Sequence, residues 1–291
     1  MLKSSVIINY LQQIFVDSSP SDFEFHRIGG MSNINYKVLF QDKIYILRIP
    51  GNGAEGMVER ENEELNSQFA QKMGIHPEIT YFNRTTGIKL VEYIEQAETL
   101  NPTTIQSQEN LRQIADIYRT LHNSHIRERN DFNLFHEIDK YKFLMQRVGA
   151  KMYNHELDAY SQITALEYRL NKMGVEVKPC HNDGVPENFI KDKNGKMFLI
   201  DWEYSGMNDP IAELAALFLE SNFSETSQNL FMSYYFKDNT PNDIQERLLI
   251  YQILWDYLWA QWTIIKEAKG DDFGEYGIKR FKRSMKNLQL L

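Results

Sequence analysis

Residues Cys180–Phe189 read CHNDGVPENF and combine a histidine, two acids, two asparagines and the only cysteine of the chain. On these residues alone the stretch is open to three interpretations: a catalytic loop, a metal-binding cluster or a polar turn between two strands. Side chains adjacent on an extended backbone point to opposite faces, so Cys180 and His181 are poorly placed to share one ion. The metal cluster built on the cysteine is therefore the weakest of the three.

A β-hairpin is predicted directly after this stretch, with strands at Asn188–Lys191 and Met197–Asp201 around an Asn-Gly turn. Asp201 ends the second strand, and Glu203 follows two residues later. An alcohol that attacks a phosphate needs a carboxylate to orient it and accept its proton, and Mg²⁺ on nucleotide phosphates needs hard oxygen ligands. The combination therefore favours phosphoryl transfer over a plain turn.

The spacing of His181, Asp183 and Asn188, with Asp201 behind a hydrophobic strand, resembles the catalytic loop and metal-binding aspartate of the protein-kinase-like superfamily. This resemblance gives His181 a structural place, makes Asp183 the catalytic base, and assigns Mg²⁺ to Asn188 and Asp201.

The chain before residue 96 is rich in β-strand patterns. Residues 1–18 carry apolar residues at helical spacing, and residues 23–50 alternate apolar and polar residues around two turns, which predicts three antiparallel strands. A charged helix over residues 58–73 and two strands within residues 78–94 follow. These elements predict a small antiparallel sheet with one helix laid against it.

Long helices dominate the rest of the chain. They are predicted at residues 107–125, 137–148, 155–173, 209–221, 226–236 and 242–268. The sequence therefore predicts an α+β, protein-kinase-like two-lobe fold, with a β-rich N-terminal lobe over residues 1–95 and a mainly helical C-terminal lobe over residues 96–291. A cleft between two such lobes is a favoured ligand site.

Composition and charge narrow the function classes. A chain of 291 residues with 42% hydrophobic residues supports a sizeable core. The net charge of -8, without a large basic cluster, argues against nucleic-acid binding. No apolar stretch approaches the roughly 20 residues of a membrane span, and the N-terminus lacks a signal-peptide pattern. With a single cysteine, the sequence predicts a cytoplasmic protein without an intrachain disulfide, as a monomer or homodimer.

The N-terminal lobe offers candidate ATP-binding residues. Backbone N–H groups of the glycine-bearing turn between the first two strands can lie over phosphate oxygens, although any tight hairpin can use a glycine pair. Arg48 lies on the third strand where a protein kinase has a lysine, and Glu63 is placed to pair with it; an ordinary exposed strand residue is the alternative for Arg48. The predicted ATP-binding residues are Gly29, Gly30, Ser32, Asn33, Arg48, Glu63, Glu92 and Ile94.

An aromatic stripe in the C-terminal lobe is open to two interpretations. Trp255, Trp259 and Trp262 are separated by four and three residues, so they lie on one helix face. Core packing explains such a stripe as well as a cation-binding pocket does. Aromatic rings beside carboxylates are, however, the surroundings that a quaternary ammonium ion prefers.

Seven segments together resemble the choline/ethanolamine kinase family, and most of all its LicA-type bacterial branch. They are GGMSN, YILRIPGNG, RENEELN, PEITYFNRTTGIKLVEYI, ENLRQIADIYRTLH, CHNDGVPENFI and LIDWEYSGMNDP, in the family's order. The last two separate this branch from aminoglycoside phosphotransferases, which share the fold. The resemblance implies transfer of phosphate from ATP to choline, with Mg²⁺ as cofactor.

The same resemblance implies the roles of individual residues. Asp183 is the base, Asn188 and Asp201 hold Mg²⁺, and Glu203 lies close enough to assist. The ammonium group of the acceptor is held by aromatic and acidic residues, of which Tyr276 is matched across one or two gaps near Phe273. These acceptor residues are Tyr204, Glu220, Trp259, Trp262 and Tyr276.

Two positions depart from the family pattern. Glu213 replaces the usual aspartate that braces the catalytic loop, and we expect it to reach the loop with some displacement. Gly184 stands where a bulkier residue is usual, and we expect a looser loop beside the base. Ethanolamine kinase, a kinase of another cationic alcohol such as an aminoglycoside or thiamine, and a pseudokinase-like binding module are the alternatives.

Overall fold

Alternating apolar residues in the N-terminal part form a five-stranded antiparallel sheet. The computed structural model describes residues 2–29, 33–51, 56–153, 156–237 and 239–291. The sheet has the strand order β1-β2-β3-β5-β4. Its strands are β1 (Glu24–Gly29), β2 (Asn33–Phe40), β3 (Lys43–Pro50), β4 (Ile79–Phe82) and β5 (Lys89–Glu92). The predicted three strands and the two that follow the helix are confirmed.

The two faces of this sheet have different partners. Val38, Leu47 and Leu90 pack on one face against the first helix, α1 (Ser4–Ile14). Since side chains alternate along a strand, Arg48 and Lys89 project from the opposite face, where they are register partners on β3 and β5. The second helix, α2 (Arg60–Lys72), contributes Glu63 to this polar face.

Seven further helices lie within the described residues of the C-terminal part. They are α3 (Gln108–His122), α4 (Leu134–Arg147), α5 (Glu156–Met173), α6 (Pro210–Glu220), α7 (Glu225–Phe236), α8 (Ile244–Ala268) and α9 (Tyr276–Leu288). The predicted helices are confirmed within a few residues at their ends, whereas α9 is an addition. Most residues of α8 are buried, because α8 packs between α4, α6 and α9.

Short strands fix both ends of the stretch at residues 180–189. Strand β6 (Glu98–Thr99) joins the predicted hairpin, which consists of β8 (Phe189–Lys191) and β9 (Met197–Leu199). Strand β7 (Lys178–Cys180) pairs with β10 (Gly206–Asn208), and Cys180 lies opposite Gly206. The loop between β7 and β8 is therefore held at its start by one sheet and at its end by another.

The α+β fold class with a β-rich and a helical part is confirmed. We propose a lobe boundary near residue 95, because β5 ends at Glu92 and the next strand, β6, pairs with β8 of the helical part. Contacts across the boundary include the Leu199 N–H, which donates to the Ile75 carbonyl oxygen at 2.8 Å. Of the helices that the structure describes, none combines the length and apolar character needed to cross a membrane.

His76 is a buried histidine between α2 and β4, and it makes stability depend on pH. Its Nδ1 donates to the Pro77 carbonyl oxygen at 2.6 Å, and burial, aided by the charge of Lys89, lowers the pKa of His76 to about 3. The unfolded chain binds this proton below about pH 6.5 and the folded chain does not, so the free energy of unfolding falls as pH drops toward 3.

We expect this single proton to contribute a slope of about 1.4 kcal/mol per pH unit between pH 6 and 4. A His76→Gln variant removes the contribution and should show a shallower pH dependence than the wild type in urea unfolding at pH 7, 6 and 5. Parallel curves for the two proteins would mean that His76 is protonated as easily in the folded state as in the unfolded state.

Candidate active site

Asp183 and Asn188 are joined at the centre of the loop between β7 and β8. The amide Nδ2 of Asn188 donates to the Asp183 carboxylate at 2.9 Å and to its carbonyl oxygen at 3.1 Å. Both bonds turn the amide nitrogen toward Asp183, which leaves the Asn188 Oδ1 oxygen available for a cation. Proline at position 186 starts the short 3-10 turn that places Asn188.

Asp201 and Glu203 complete an acidic cluster beside Asp183. Asp201 has a left-handed backbone, with φ of 65°, which is uncommon for a residue other than glycine and is typical of strained functional positions. Desolvation raises the pKa of Asp183, and the charge of Asp201 adds to this shift. Burial and the same charge raise the pKa of Glu203 to about 7. The three carboxyl groups therefore repel one another.

This cluster fits Mg²⁺, the metal that the resemblance implies. Carboxylate and amide oxygens are the hard ligands that Mg²⁺ prefers, and Asn188, Asp201 and Glu203 supply both kinds. A divalent cation among them would also remove the repulsion that raises the carboxyl pKa values. The donor set thus suits Mg²⁺ better than a thiolate-binding metal.

Arg48 connects the sheet to this cluster. It is 6% exposed, so the alternative of an ordinary exposed strand residue is wrong. Its guanidinium donates to Glu63, as the sequence predicted, and also to Asp201 at 2.8 Å. The Nε–H of Arg48 is buried without a partner in the part of the chain that the structure describes. Arg48 therefore retains a donor for another acceptor.

Two further cations, which the sequence interpretation missed, surround Glu63. Lys89 lies 3.3 Å from one carboxylate oxygen of Glu63, and Arg60 lies 2.7 Å from the other and 3.1 Å from Glu203. Burial disfavours the charged form of Glu63, yet Arg48, Lys89 and Arg60 together lower its pKa to about 2. The position of Lys89 in β5, in register with Arg48, is the signal that could have identified it.

The other predicted ATP-binding residues differ in how they relate to the acidic cluster of Asp183, Asp201 and Glu203. Asn33 is buried and donates to Asp201 at 3.3 Å, so β2 reaches the acidic cluster. Gly29 ends β1 with φ of 125°. Glu92 and Ile94 line a cavity of about 480 Å³ whose lining does not extend to Asp183 or Asp201. Gly30 and Ser32 lie outside the described residues.

The aromatic stripe of α8 divides into one residue that packs on α6 and two that contact Tyr204. Trp255 is fully buried and its indole N–H donates to the Ala212 carbonyl oxygen at 2.7 Å. Trp259 instead packs edge-on against Tyr204, with ring centroids 5.4 Å apart, and the Trp262 indole N–H donates to the Tyr204 hydroxyl at 3.2 Å. Phe273, which was not predicted, lies 4.9 Å from Trp262.

Glu220 and Tyr276 meet at Arg280, a residue that the sequence interpretation missed. Arg280 donates to one carboxylate oxygen of Glu220 at 2.5 Å, and its guanidinium lies 4.5 Å from the Tyr276 ring centroid. The second oxygen of Glu220 is buried and has no partner among the residues described. Asp256, by contrast, accepts from both Arg280 and Arg283. Both carboxylate oxygens of Asp256 are therefore engaged in ion pairs, whereas one carboxylate oxygen of Glu220 has no partner among the described residues.

The acceptor residues and the acidic cluster influence each other electrostatically. The charge of Glu220 raises the pKa of Asp183. Desolvation and the charge of Glu220 raise the pKa of Tyr276, and Asp183 adds to that shift. Tyr204 follows Asp201 by three residues and has rings of α8 beside it. Two of the predicted acceptor residues, Glu220 and Tyr276, are thus close enough to Asp183 to influence its charge or to be influenced by it, as the predicted metal ligand Asp201 is.

Comparison with known proteins identifies the family. The profile of the choline/ethanolamine kinase family matches residues 26–285. The chain belongs to this family. It is 31% identical to protein LicA of Haemophilus influenzae over 287 residues, which cover 96% of this chain and 84% of that protein.

Two crystal structures of LicA resemble this chain over nearly its full length. Choline kinase LicA from Streptococcus pneumoniae superposes with a TM-score of 0.88 at 38% identity, covering 99% of each chain. A structure of LicA in complex with AMP has a TM-score of 0.87 at 38% identity and covers 98% of each chain. The kinase fold expected from the sequence is thereby confirmed.

The two departures from the family pattern have a clear structural outcome. One carboxylate oxygen of Glu213 accepts from the backbone N–H groups of His181 and Asn182 at 2.7 and 2.9 Å, so Glu213 reaches the catalytic loop as expected. At Gly184 a Cβ atom would lie 2.6 Å from the backbone nitrogen of Leu217. The expectation of a looser loop is wrong, because the glycine allows tight packing on α6.

His181 has the structural surroundings that the kinase resemblance implies. The residue is fully buried, and its Nε2–H donates to the Ile200 carbonyl oxygen at 2.8 Å. Its ring packs edge-on against Trp202, with centroids 4.9 Å apart. His181 therefore ties the catalytic loop to the segment that carries Asp201.

Proposed function

We propose that this protein is an ATP-dependent choline kinase, with Asp183 as catalytic base. The observation that supports this most is the position of Asp183. Asp183 is hydrogen-bonded to Asn188 and feels the charges of Asp201 and Glu203, which are proposed as the oxygen-rich metal site, and that of Glu220, which is proposed to lie in the aromatic acceptor pocket. The metal site suits metal-bound phosphates and the acceptor pocket suits an organic cation.

The reaction follows from these positions as an in-line transfer. The choline hydroxyl oxygen attacks the γ-phosphorus, the bond to the oxygen between the β- and γ-phosphorus breaks, and ADP leaves. The hydroxyl proton passes to the Asp183 carboxylate, which the Asn188 amide holds in place. Mg²⁺, held by Asn188 and Asp201 with Glu203 beside them, would supply positive charge to the phosphate oxygens. We assign Arg48 to a phosphate oxygen, since it lies beside Asp201 and its Nε–H has no partner among the described residues.

Recognition of choline is assigned to the aromatic pocket. A quaternary ammonium group has no N–H donor, so it is held by the faces of aromatic rings and by nearby negative charge, with about 0.5 to 2 kcal/mol per ring. Tyr204, Trp259 and Trp262 supply the rings. Because Arg280 neutralises much of the Glu220 charge, the rings contribute more to binding than the carboxylate does.

Ethanolamine is the second candidate acceptor, and one observation favours it. The unpartnered oxygen of Glu220 can accept a hydrogen bond from a primary ammonium group but not from a quaternary one. A screen of choline, ethanolamine and an aminoglycoside with ATP and Mg²⁺ separates the candidates by ADP formation. We expect choline to give the highest kcat/KM. Absence of acceptor-dependent ADP formation would leave only a binding module that holds a nucleotide or cation.

Replacement of Trp262 by leucine tests the aromatic pocket. Leucine keeps an apolar but smaller side chain at this half-buried position and removes the aromatic face, so we expect the KM for choline to rise about tenfold. The KM for ATP should stay within about twofold of the wild type, since Trp262 contacts Tyr204 and Phe273 rather than the acidic cluster. An equal rise of both KM values would assign Trp262 to packing.

The cellular location and the oligomeric state are inferred from the sequence. We propose a cytoplasmic protein that acts as a monomer or homodimer and uses ATP with Mg²⁺. Equilibrium sedimentation of the purified chain distinguishes the two assembly states.

A further inference from the structure

We propose that α6 fixes the distance between the catalytic base, Asp183, and the ammonium-binding residues around Glu220, and thereby selects the chain length of the amino alcohol. This inference rests on the proposed function. It concerns Glu213 and Gly184 as positioning residues, which act through Asp183 and make no contact with the acceptor.

Glu213 holds the loop on the N-terminal side of the base. It is fully buried, and one of its carboxylate oxygens accepts from the N–H groups of His181 and Asn182. Asn182 has a left-handed backbone, with φ of 65°, directly before Asp183. A non-glycine residue keeps such a conformation only where its surroundings impose it. The Glu213 carboxylate is one of the groups that impose it.

The other oxygen of Glu213 is held from the opposite direction. It lies 2.5 Å from Nε2 of His122 on α3, and the His122 Nδ1 lies 2.6 Å from the Tyr235 hydroxyl on α7. His122, Cys180 and Glu213 lie close enough together to suggest a metal site. Both oxygens of Glu213 and both ring nitrogens of His122 already have partners, however, which favours a positioning role over metal binding.

Gly184 holds the loop on the C-terminal side of the base. A Cβ atom at this position would lie 2.6 Å from the backbone nitrogen and 2.7 Å from the Cα atom of Leu217. Backbone atoms in the middle of a helix cannot yield as the end of a flexible side chain does. Asp183 therefore has α6 in contact with the residues on both sides of it, and only glycine permits this approach.

The same helix carries Glu220 at its C-terminal end. Glu220 follows Leu217 by three residues and Glu213 by seven, so the three residues share one face of α6, and Glu213 and Glu220 are about 10 Å apart along the axis. The helix is fixed in the core: the Trp255 indole N–H donates to Ala212, and Arg247 pairs with Asp209 at its N-cap. The loop of the base and Glu220 are thus held by one rigid helix, and α8, which carries Trp259 and Trp262, packs against the same helix.

Acceptor chain length is the property that this arrangement controls. An amino alcohol must place its hydroxyl at Asp183 and its ammonium group near Glu220 at the same time. A displacement of about 1 Å at the reacting atoms lowers the rate about a hundredfold. A shift of the loop relative to α6 should therefore change the ratio of kcat/KM between choline and its homologue with one more methylene group.

The experiment compares Glu213→Asp with Glu213→Gln. Aspartate keeps the charge but shortens the side chain by one methylene, so it cannot bond the loop and His122 together without moving the loop. Glutamine keeps the length and still offers an oxygen to the two N–H groups. For Glu213→Asp we expect the kcat/KM ratio of choline over 3-hydroxypropyl-trimethylammonium to change about tenfold. For Glu213→Gln the ratio should stay within about twofold of the wild type.

Gly184→Ala is the second, independent variant. The added methyl group pushes the loop away from α6, so the ratio should shift toward the longer acceptor. A ratio of two acceptors is unaffected by a partly unfolded sample, because both rates scale with the same active fraction. Unchanged ratios in Glu213→Asp and Gly184→Ala, with both rates falling equally, would overturn the inference and leave choline kinase activity standing. A wild type inactive on both acceptors would instead refute the proposed function, and the inference with it.

Discussion

Replacement of Asp183 by asparagine is expected to lower kcat by about 10² to 10⁴-fold, with little change in the KM for ATP or in the free energy of unfolding. Asparagine has the same shape, and its side-chain oxygen can still accept from the Asn188 amide. It cannot take the hydroxyl proton from the acceptor. ADP release with saturating ATP, Mg²⁺ and choline measures the effect directly.

Glu187→Gln supplies the matched control for this variant. Glu187 lies in the same loop, four residues after Asp183, but its side chain is exposed. Loss of a carboxylate at that position should leave kcat close to that of the wild type. If Asp183→Asn turned over choline as fast as Glu187→Gln does, the base would have to be another group and the assignment of this loop would fail.

The catalytic loop was predictable because its determinants are local. A histidine, an aspartate and an asparagine at fixed spacing, then an Asn-Gly turn and a strand ending at Asp201, specify chemistry and geometry within about two dozen residues. The hairpin of β8 and β9 formed as expected. Helix α9 carried a similar local signal, with Ile278, Phe281 and Met285 at helical spacing, and could have been predicted.

Contacts between residues distant in sequence could not be predicted in this way. Trp255 and Trp259 lie on the same helix face and both are buried, yet only the packing of α6 on α8 gives the Trp255 indole its bond to Ala212, whereas Trp259 packs on Tyr204. Arg280 reaches Glu220 from 60 residues away, and no spacing rule connects them. Strands β7 and β10 are only three residues long and are defined by their pairing rather than by a periodic pattern.

Gly184 shows how a correct observation led to a wrong expectation. A glycine in a loop is flexible by itself, so the sequence favoured a loose segment. In the folded protein the missing side chain permits contact with the backbone of Leu217, and this contact restricts the loop. The effect of a glycine on rigidity depends on what occupies the space of its absent Cβ atom.

Arg48→Met is expected to lower both stability and nucleotide binding. Arg48 is buried between Glu63 and Asp201, and removal of one partner from a buried ion pair lowers the free energy of unfolding by about 3 to 5 kcal/mol. Arg60 and Lys89 remain beside Glu63, so we expect the lower part of this range. The KM for ATP should rise about tenfold or more, because the guanidinium would no longer meet the phosphates.

Arg48→Lys separates the charge of this residue from its shape. Lysine keeps the positive charge but lacks the planar fork that donates to Glu63 and Asp201 together. Because the charge remains, the free energy of unfolding should fall less in Arg48→Lys than in Arg48→Met. The KM for ATP should rise in both variants. Arg84→Met is the control, since Arg84 pairs with Glu64 at the exposed surface and its loss should leave urea unfolding nearly unchanged. Unfolding of Arg48→Met at the same urea concentration as Arg84→Met would mean that the buried pair adds no stability, and Arg48 would then serve the nucleotide alone.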